Sequence, residues 1–125
     1  MAHDHTPRFL KLVEDSKEQV KEISAADLTR KMEGGSALHL LDVREANEYA
    51  AGRIPGARHL CKGIIERDIE TAVPDINAEI ILYCGGGFRS ALAAESLQKM
   101  GYRRVLSLAG GWRGWTAGGH KTEKP

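Results

Sequence analysis

Ile80-Ile81-Leu82-Tyr83-Cys84-Gly85-Gly86-Gly87-Phe88-Arg89-Ser90 is the stretch on which the reading of this 125-residue chain turns. Its first four residues are apolar, two of them β-branched, and they read as a buried strand. From Phe88 to Met100 the pattern becomes helical, with Ala93, Leu97 and Met100 on one side, Glu95, Gln98 and Lys99 on others, and Gly101 as the stop. Cys84 therefore stands at the carboxyl end of a strand and just before a helix, the place where open α/β sheets bind their ligands.

Working outward, Leu38 to Val43 reads as a second buried strand that delivers Asp42 and Arg44 to its C-terminal end, and Val105 to Leu108 as a third. A short helix is expected in Glu45 to Ala51, a brief strand in Ala57 to Leu60 and a helical segment in Ile64 to Val73. Upstream, Thr6 and Pro7 are placed to start an N-terminal helix, Val20 to Ile23 fits an edge strand, and Ser24 to Asp27 has the form of a capping box before a helix that Gly34-Gly35 ends. Gly110-Gly111 opens a last helical turn carrying Trp112 and Trp115, read as core anchors that close the sheet. Strands alternating with helices predict an α/β fold with a mostly parallel five-stranded sheet and helices on both faces, plus the N-terminal helix. The expected divisions are a frayed end over residues 1–5 within a helical extension over 1–19, one domain over 20–119, and a polar tail over 120–125.

With 18 Lys plus Arg against 17 Asp plus Glu, the net charge of +1 provides no broad basic surface for nucleic acid or an anionic membrane. Two cysteines are too few for a disulfide framework, and a domain of this size can bury a core without one. The N-terminal Met-Ala-His-Asp-His-Thr-Pro lacks the basic flank and apolar run of a secretion signal, and no later segment is long and apolar enough to span a bilayer. The resulting expectation is a cytoplasmic protein with reduced thiols.

The loop itself carries the chemistry. Gly85, Gly86 and Gly87 let the backbone curl until several N–H groups point at one spot. The positive end of the following helix and the charge of Arg89 add to that field. Together they stabilise a thiolate at Cys84, the form in which cysteine attacks. The absence of Gly-Lys-Ser or Gly-Lys-Thr excludes a Walker-type phosphate loop. Cys61 and Cys84 with the five histidines show no metal-ligand spacing, so neither a metal nor any other cofactor is expected.

Leu41-Asp42-Val43-Arg44-Glu45, then Glu48-Tyr49, Gly52-Arg53-Ile54-Pro55-Gly56-Ala57, Tyr83-Cys84 through Arg89-Ser90, and Leu108-Ala109-Gly110-Gly111-Trp112 occur in that order. With these motifs the chain resembles the rhodanese family, the thiosulfate sulfurtransferases and their single-domain relatives, over roughly residues 20–116. The resemblance implies that Cys84 takes sulfur from a donor such as thiosulfate, carries it as a persulfide and yields it to a thiophilic acceptor such as cyanide. It also implies that N–H groups of Gly85, Gly86, Gly87, Phe88, Arg89 and Ser90 hold the persulfide sulfur, that Arg89 braces the loop, and that Asp42 and Arg44 support the site. The partners implied are a small sulfur-containing anion and a thiophilic acceptor, which could be a protein or thiol.

Four residues separate Cys84 from Arg89, one fewer than in the related phosphatases and arsenate reductases, whose wider cradle takes a tetrahedral oxyanion. The tighter loop favours sulfur transfer over either alternative. The glycines remove the side-chain cation that many relatives place after the cysteine. Lys62, in Cys61-Lys62-Gly63, is a candidate replacement at the site mouth, and Cys61 a candidate resolving thiol. Because the N-terminal helix lies outside the matching region, a second reading is a persulfide carrier or sensor module serving a partner protein.

Overall fold

A computed structural model describes residues 5–124 of the chain. The frayed end expected for residues 1–5 therefore falls, apart from His5, outside the described residues, as does Pro125 of the expected tail. In chain order the elements are α1 (Pro7–Gln19), β1 (Lys21–Ile23), α2 (Ala25–Glu33), β2 (Leu38–Asp42), α3 (Ala46–Ala51), β3 (Arg58–His59), a 3-10 turn (Lys62–Ile64), α4 (Ile65–Ala72), β4 (Glu79–Tyr83), α5 (Phe88–Lys99), β5 (Arg104–Leu108) and α6 (Gly111–Ala117).

The five strands form one parallel sheet in the order β1-β5-β4-β2-β3. β4 lies at the centre, paired Leu38↔Glu79 through Asp42↔Tyr83 with β2 and Glu79↔Arg104 through Leu82↔Ser107 with β5. All five of its residues are buried, which explains an apolar run with no polar alternation.

The two-residue period of the strands sorts their side chains into two cores. Ile80, Leu82 and Cys84 point into one with Leu41, Val43, Ile65, Ile69, Ala94 and Leu97, beneath α4 and α5. Ile81, Tyr83 and Leu40 point into the other with Leu28, Ile54, Leu108 and Trp115, beneath α2 and α6. Cys84 thus faces the α5 side because it is in phase with Ile80 and Leu82. Trp115 is buried there as the expected anchor, while Trp112 is half-buried at the edge of the second core.

Local signals account for the ends of several elements. Ser24 Oγ accepts the Asp27 N–H at 3.0 Å and starts α2. Glu45 and Glu48 exchange side-chain and backbone hydrogen bonds in a capping box at the start of α3. α1 packs on α5 through buried Val13 and Ser16, and the Ser16 hydroxyl donates to Glu95 Oε1 at 2.7 Å. Beyond α6 the chain is tied back. Trp115 Nε1 donates to the Lys121 carbonyl at 2.7 Å, and Arg53 and Glu123 exchange two backbone bonds of 2.9 and 2.8 Å. No helix among the described residues is long and apolar enough to cross a membrane.

Candidate active site

Cys84 ends β4 at the point where the sheet gives way to α5, and its side chain is 1% exposed. The turn that follows works because Gly87 has φ +93°, a left-handed conformation that glycine adopts without a β-carbon penalty. That turn aims two backbone donors at the sulfur. Gly87 N–H donates to Cys84 Sγ at 3.1 Å and Ser90 N–H at 3.3 Å. A third polar group stands beside it, since the thiol lies 3.5 Å from Ser90 Oγ, which lies 2.8 Å from Ser107 Oγ on β5. When the thiol loses its proton, the Ser90 hydroxyl can turn to donate to sulfur while Ser107 donates to Ser90. Two backbone donors of the loop, from Gly87 and Ser90, thus converge on Cys84 Sγ.

The loop is also held from the far side by the start of α6. Trp112 N–H donates to the Cys84 carbonyl at 2.7 Å and Arg113 N–H to the Gly85 carbonyl at 3.0 Å. Gly111, at φ +54°, is the close approach that makes this possible, because a β-carbon there would lie 2.5 Å from the Cys84 carbonyl oxygen.

Asp42 and Arg44 form a buried ion pair behind the loop. Arg44 Nε and Nη2 donate to the Asp42 carboxylate at 3.0, 3.1 and 2.7 Å, and Nη2 also donates to the Gly52 carbonyl at 2.6 Å. Burial works against the Arg44 charge, but its bonds and proximity to Asp42 outweigh it and raise the guanidinium pKa. The guanidinium stacks 4.7 Å over the Trp112 ring, so the pair packs against the residue whose N–H clasps Cys84. Neither Asp42 nor Arg44 lines the cleft at the sulfur.

That cleft has a volume of about 350 Å³ and is lined by His5, Phe9, Glu48, Cys84, Gly86, Phe88, Arg89 and Arg113. Arg89 enters it already paired, donating to Glu48 Oε1 and Oε2 at 3.0 and 3.3 Å. Those bonds hold the Glu48 carboxyl below the usual carboxylate range against the opposing effect of burial, and they raise the Arg89 pKa. Arg89 thus braces α3 against the loop rather than offering an uncompensated charge. Lys62 is absent from the lining. Cys61, half-buried at the start of the 3-10 turn, has its sulfur 3.7 Å from Glu45 Oε2 and does not line the cleft either.

Four lining residues have no site role legible in the sequence alone. Glu48 is legible only as part of the Glu48-Tyr49 motif, and its pairing with Arg89 spans 41 positions. Arg113 carried one signal, its place in the first turn of a helix opened by two glycines. His5 and Phe9 reach the cleft because α1 lies along α5, a packing that no local pattern reveals. No cluster of His, Cys, Asp and Glu that could hold a metal ion occurs among the described residues.

The comparisons with known proteins agree with this architecture. The chain is 36% identical over 104 residues to the protein named "Putative sulfur carrier protein YrkF" of Bacillus subtilis, covering 83% of this chain but only 54% of that protein. It is 36% identical over 75 residues to the thiosulfate sulfurtransferase PspE of Escherichia coli, covering 60% of this chain and 72% of that one. A solved structure from Rhodopseudomonas palustris, described as "Protein of Unknown Function RPA3614, Possible Tyrosine Phosphatase", superposes with a TM-score of 0.85 at 26% identity, over 98% of this chain and 99% of that one. The model of the rhodanese-like domain matches residues 24–118, and the chain belongs to that family.

Proposed function

We propose that this chain is a sulfurtransferase that carries sulfane sulfur as a persulfide on Cys84, with thiosulfate as a donor and cyanide as a competent acceptor. The observation that carries the reading is the pair of N–H groups, from Gly87 and Ser90, converging on Cys84 Sγ at 3.1 and 3.3 Å. Such donors stabilise negative charge on sulfur before attack and on the terminal persulfide sulfur after it.

In the first half-reaction the Cys84 thiolate attacks the outer sulfur of thiosulfate, a new S–S bond forms, the old one breaks, and its electron pair leaves with sulfite. In the second, cyanide attacks the terminal persulfide sulfur, thiocyanate departs and the thiolate returns. Gly85, Gly86, Gly87, Phe88, Arg89 and Ser90 form the cradle. Asp42 and Arg44 position it through Trp112, and Lys62 and Cys61 lie outside the reacting set. We assign this chemistry to the domain over residues 20–119 and place it in the cytoplasm, where thiols stay reduced.

The test follows thiocyanate release from thiosulfate and cyanide. Wild type should turn over and Cys84→Ser should fall to the uncatalysed background; equal rates would remove the claim. A second reading, a carrier that passes its persulfide to a protein, draws on the wall that α1 lends the cleft and on the relative named as a sulfur carrier. It predicts a stable Cys84 persulfide with little small-molecule turnover. Phosphatase chemistry is disfavoured by the four-residue spacing between Cys84 and Arg89, and aryl phosphate hydrolysis dependent on Cys84 is not expected.

A further inference from the structure

Two elements hold the cysteine loop from outside. α6 does so through the N–H groups of Trp112 and Arg113, bonded to the Cys84 and Gly85 carbonyls, and α3 through Glu48, bonded to Arg89. The loop keeps its shape only while these two elements keep their places. The chain beyond α6 runs from one to the other, and its last contacts lie past residue 118, where the match to the family model ends.

At the α6 end, Trp115 Nε1 donates to the Lys121 carbonyl at 2.7 Å, and the His120 ring stacks on the Trp115 ring with centroids 4.6 Å apart. His120 Nδ1 lies 3.2 Å from Thr29 Oγ1. The Thr29 hydroxyl proton goes to the Ala25 carbonyl at 2.9 Å, so His120 is the donor in that pair and ties the segment to α2 as well. At the α3 end, Glu123 and Arg53 exchange backbone bonds of 2.9 and 2.8 Å, the doubly bonded pair of an antiparallel bridge. Arg53 in turn donates to the Tyr49 carbonyl at 3.3 Å and lies over the Tyr49 ring at 4.5 Å, one residue from Glu48. Gly52, just before it, accepts from Arg44 at 2.6 Å and sits so near Trp112 that a β-carbon would stand 3.2 Å from the indole. The segment therefore starts on α6 and finishes where α3, Arg44 and Trp112 meet.

We infer that residues 120–123 form a strap that positions the Cys84 loop for sulfur transfer, with Trp115 and Glu123 as its anchoring, positioning residues. The inference rests on Cys84 being the sulfur acceptor. The strap touches neither sulfur nor donor. It fixes α3 against α6, and through them the turn that brings the Gly87 and Ser90 N–H groups to Cys84 Sγ at 3.1 and 3.3 Å. Donors aimed at developing charge lose their effect steeply when displaced, so slack in the strap slows the chemical step and spares donor binding. The Arg53–Glu123 ion pair contributes little because the Glu123 side chain is 45% exposed, and the backbone bridge carries the connection.

The experiment severs the strap at either end in the full chain. Glu123→Pro deletes the N–H that donates to the Arg53 carbonyl, and Trp115→Phe deletes the indole donor while keeping an aromatic ring in the core. Glu123→Gln keeps both backbone bonds and loses only the charge. Persulfide formation on Cys84 is followed by quench-flow and mass spectrometry over a range of thiosulfate concentrations, well below the unfolding midpoint of each variant. The maximal rate constant should fall about tenfold in Glu123→Pro and in Trp115→Phe with the half-saturating thiosulfate concentration unchanged, and Glu123→Gln should stay within about twofold of wild type. A tail with a purely structural role would lower the unfolding midpoints and leave the rate constant alone. Either severed variant that folds and keeps the wild-type rate constant overturns the inference, as do a rise in half-saturating thiosulfate alone, a loss in Glu123→Gln equal to that in Glu123→Pro, or failure of both severed variants to fold. Absence of any persulfide in the wild-type protein removes instead the sulfurtransferase reading on which the inference rests.

Discussion

Gly111→Ala tests whether α6 clasps the cysteine loop as tightly as the structure indicates. Gly111 has φ +54°, where an L-residue costs roughly 1–2 kcal/mol. Its new β-carbon would stand 2.5 Å from the Cys84 carbonyl oxygen, 2.9 Å from the Gly85 carbonyl carbon and 3.0 Å from its oxygen, all backbone atoms with no free rotor to turn aside. Relief requires α6 to back away, which stretches the bonds from Trp112 N–H and Arg113 N–H that now measure 2.7 and 3.0 Å. With about 1 kcal/mol for each bond, the expected destabilisation is about 3–4 kcal/mol. The matched control is Gly35→Ala, where φ is +72° and a β-carbon meets nothing within 4 Å, so only the conformational cost of roughly 1–2 kcal/mol remains. Urea unfolding of both variants, analysed with a common m-value, reads the difference directly. Thermal midpoints should fall by about 12–16 °C for Gly111→Ala and by roughly a third to a half of that for Gly35→Ala. Equal destabilisation of the two variants would refute the account of the clasp.

Three further outcomes follow from the same geometry. Ser90→Ala removes the hydroxyl beside the sulfur and strands Ser107; the rate of persulfide formation should drop about tenfold in stopped-flow or quench measurements, with a stability loss of about 1–3 kcal/mol. Asp42→Ala leaves Arg44 buried without its carboxylate and should cost about 3–5 kcal/mol in denaturant titrations, lowering activity through Trp112 rather than through donor KM. Glu48 has its folded pKa depressed by the hydrogen bond from Arg89, so its contribution is present above the ordinary carboxylate pKa and is lost as the pH falls through the lowered value. Because the pair is a third exposed, the acid-side loss attributable to it should be no more than roughly 0.5–1 kcal/mol, and it should vanish from the stability–pH profile of Glu48→Gln.

Much of the fold was legible because its signals are local. The β-branched run before Cys84 gives a fully buried central strand, Ser24 caps α2, and glycines punctuate the helices where a left-handed residue or a stop is needed. The order of strands and helices was enough for a parallel sheet, since parallel neighbours require crossovers. The loop is legible for the same reason: strand, glycines and helix are contiguous, and the left-handed turn after Cys84 falls on Gly87. What escaped the sequence depends on contacts between distant segments. Arg89 reads as a free charge until Glu48 is folded beside it. Arg113 reads as a solvated helix residue until Gly86 opens a place for its guanidinium. Lys62 reads as a substitute for the cation that the glycines remove from the loop, yet the cations that line the cleft are Arg89 of α5 and Arg113 of α6. His5 and Phe9 became visible as a wall only once Val13 and Ser16 had laid α1 against α5.

The central claim is that Cys84 carries the transferred sulfur. Intact-protein and peptide mass spectrometry after brief exposure to thiosulfate tests it most directly. The account predicts a gain of one sulfur atom on the peptide containing Cys84, lost on adding cyanide, absent in Cys84→Ser and retained in Cys61→Ser. Sulfur found on Cys61 instead, or no mass gain in the wild-type protein, would contradict it.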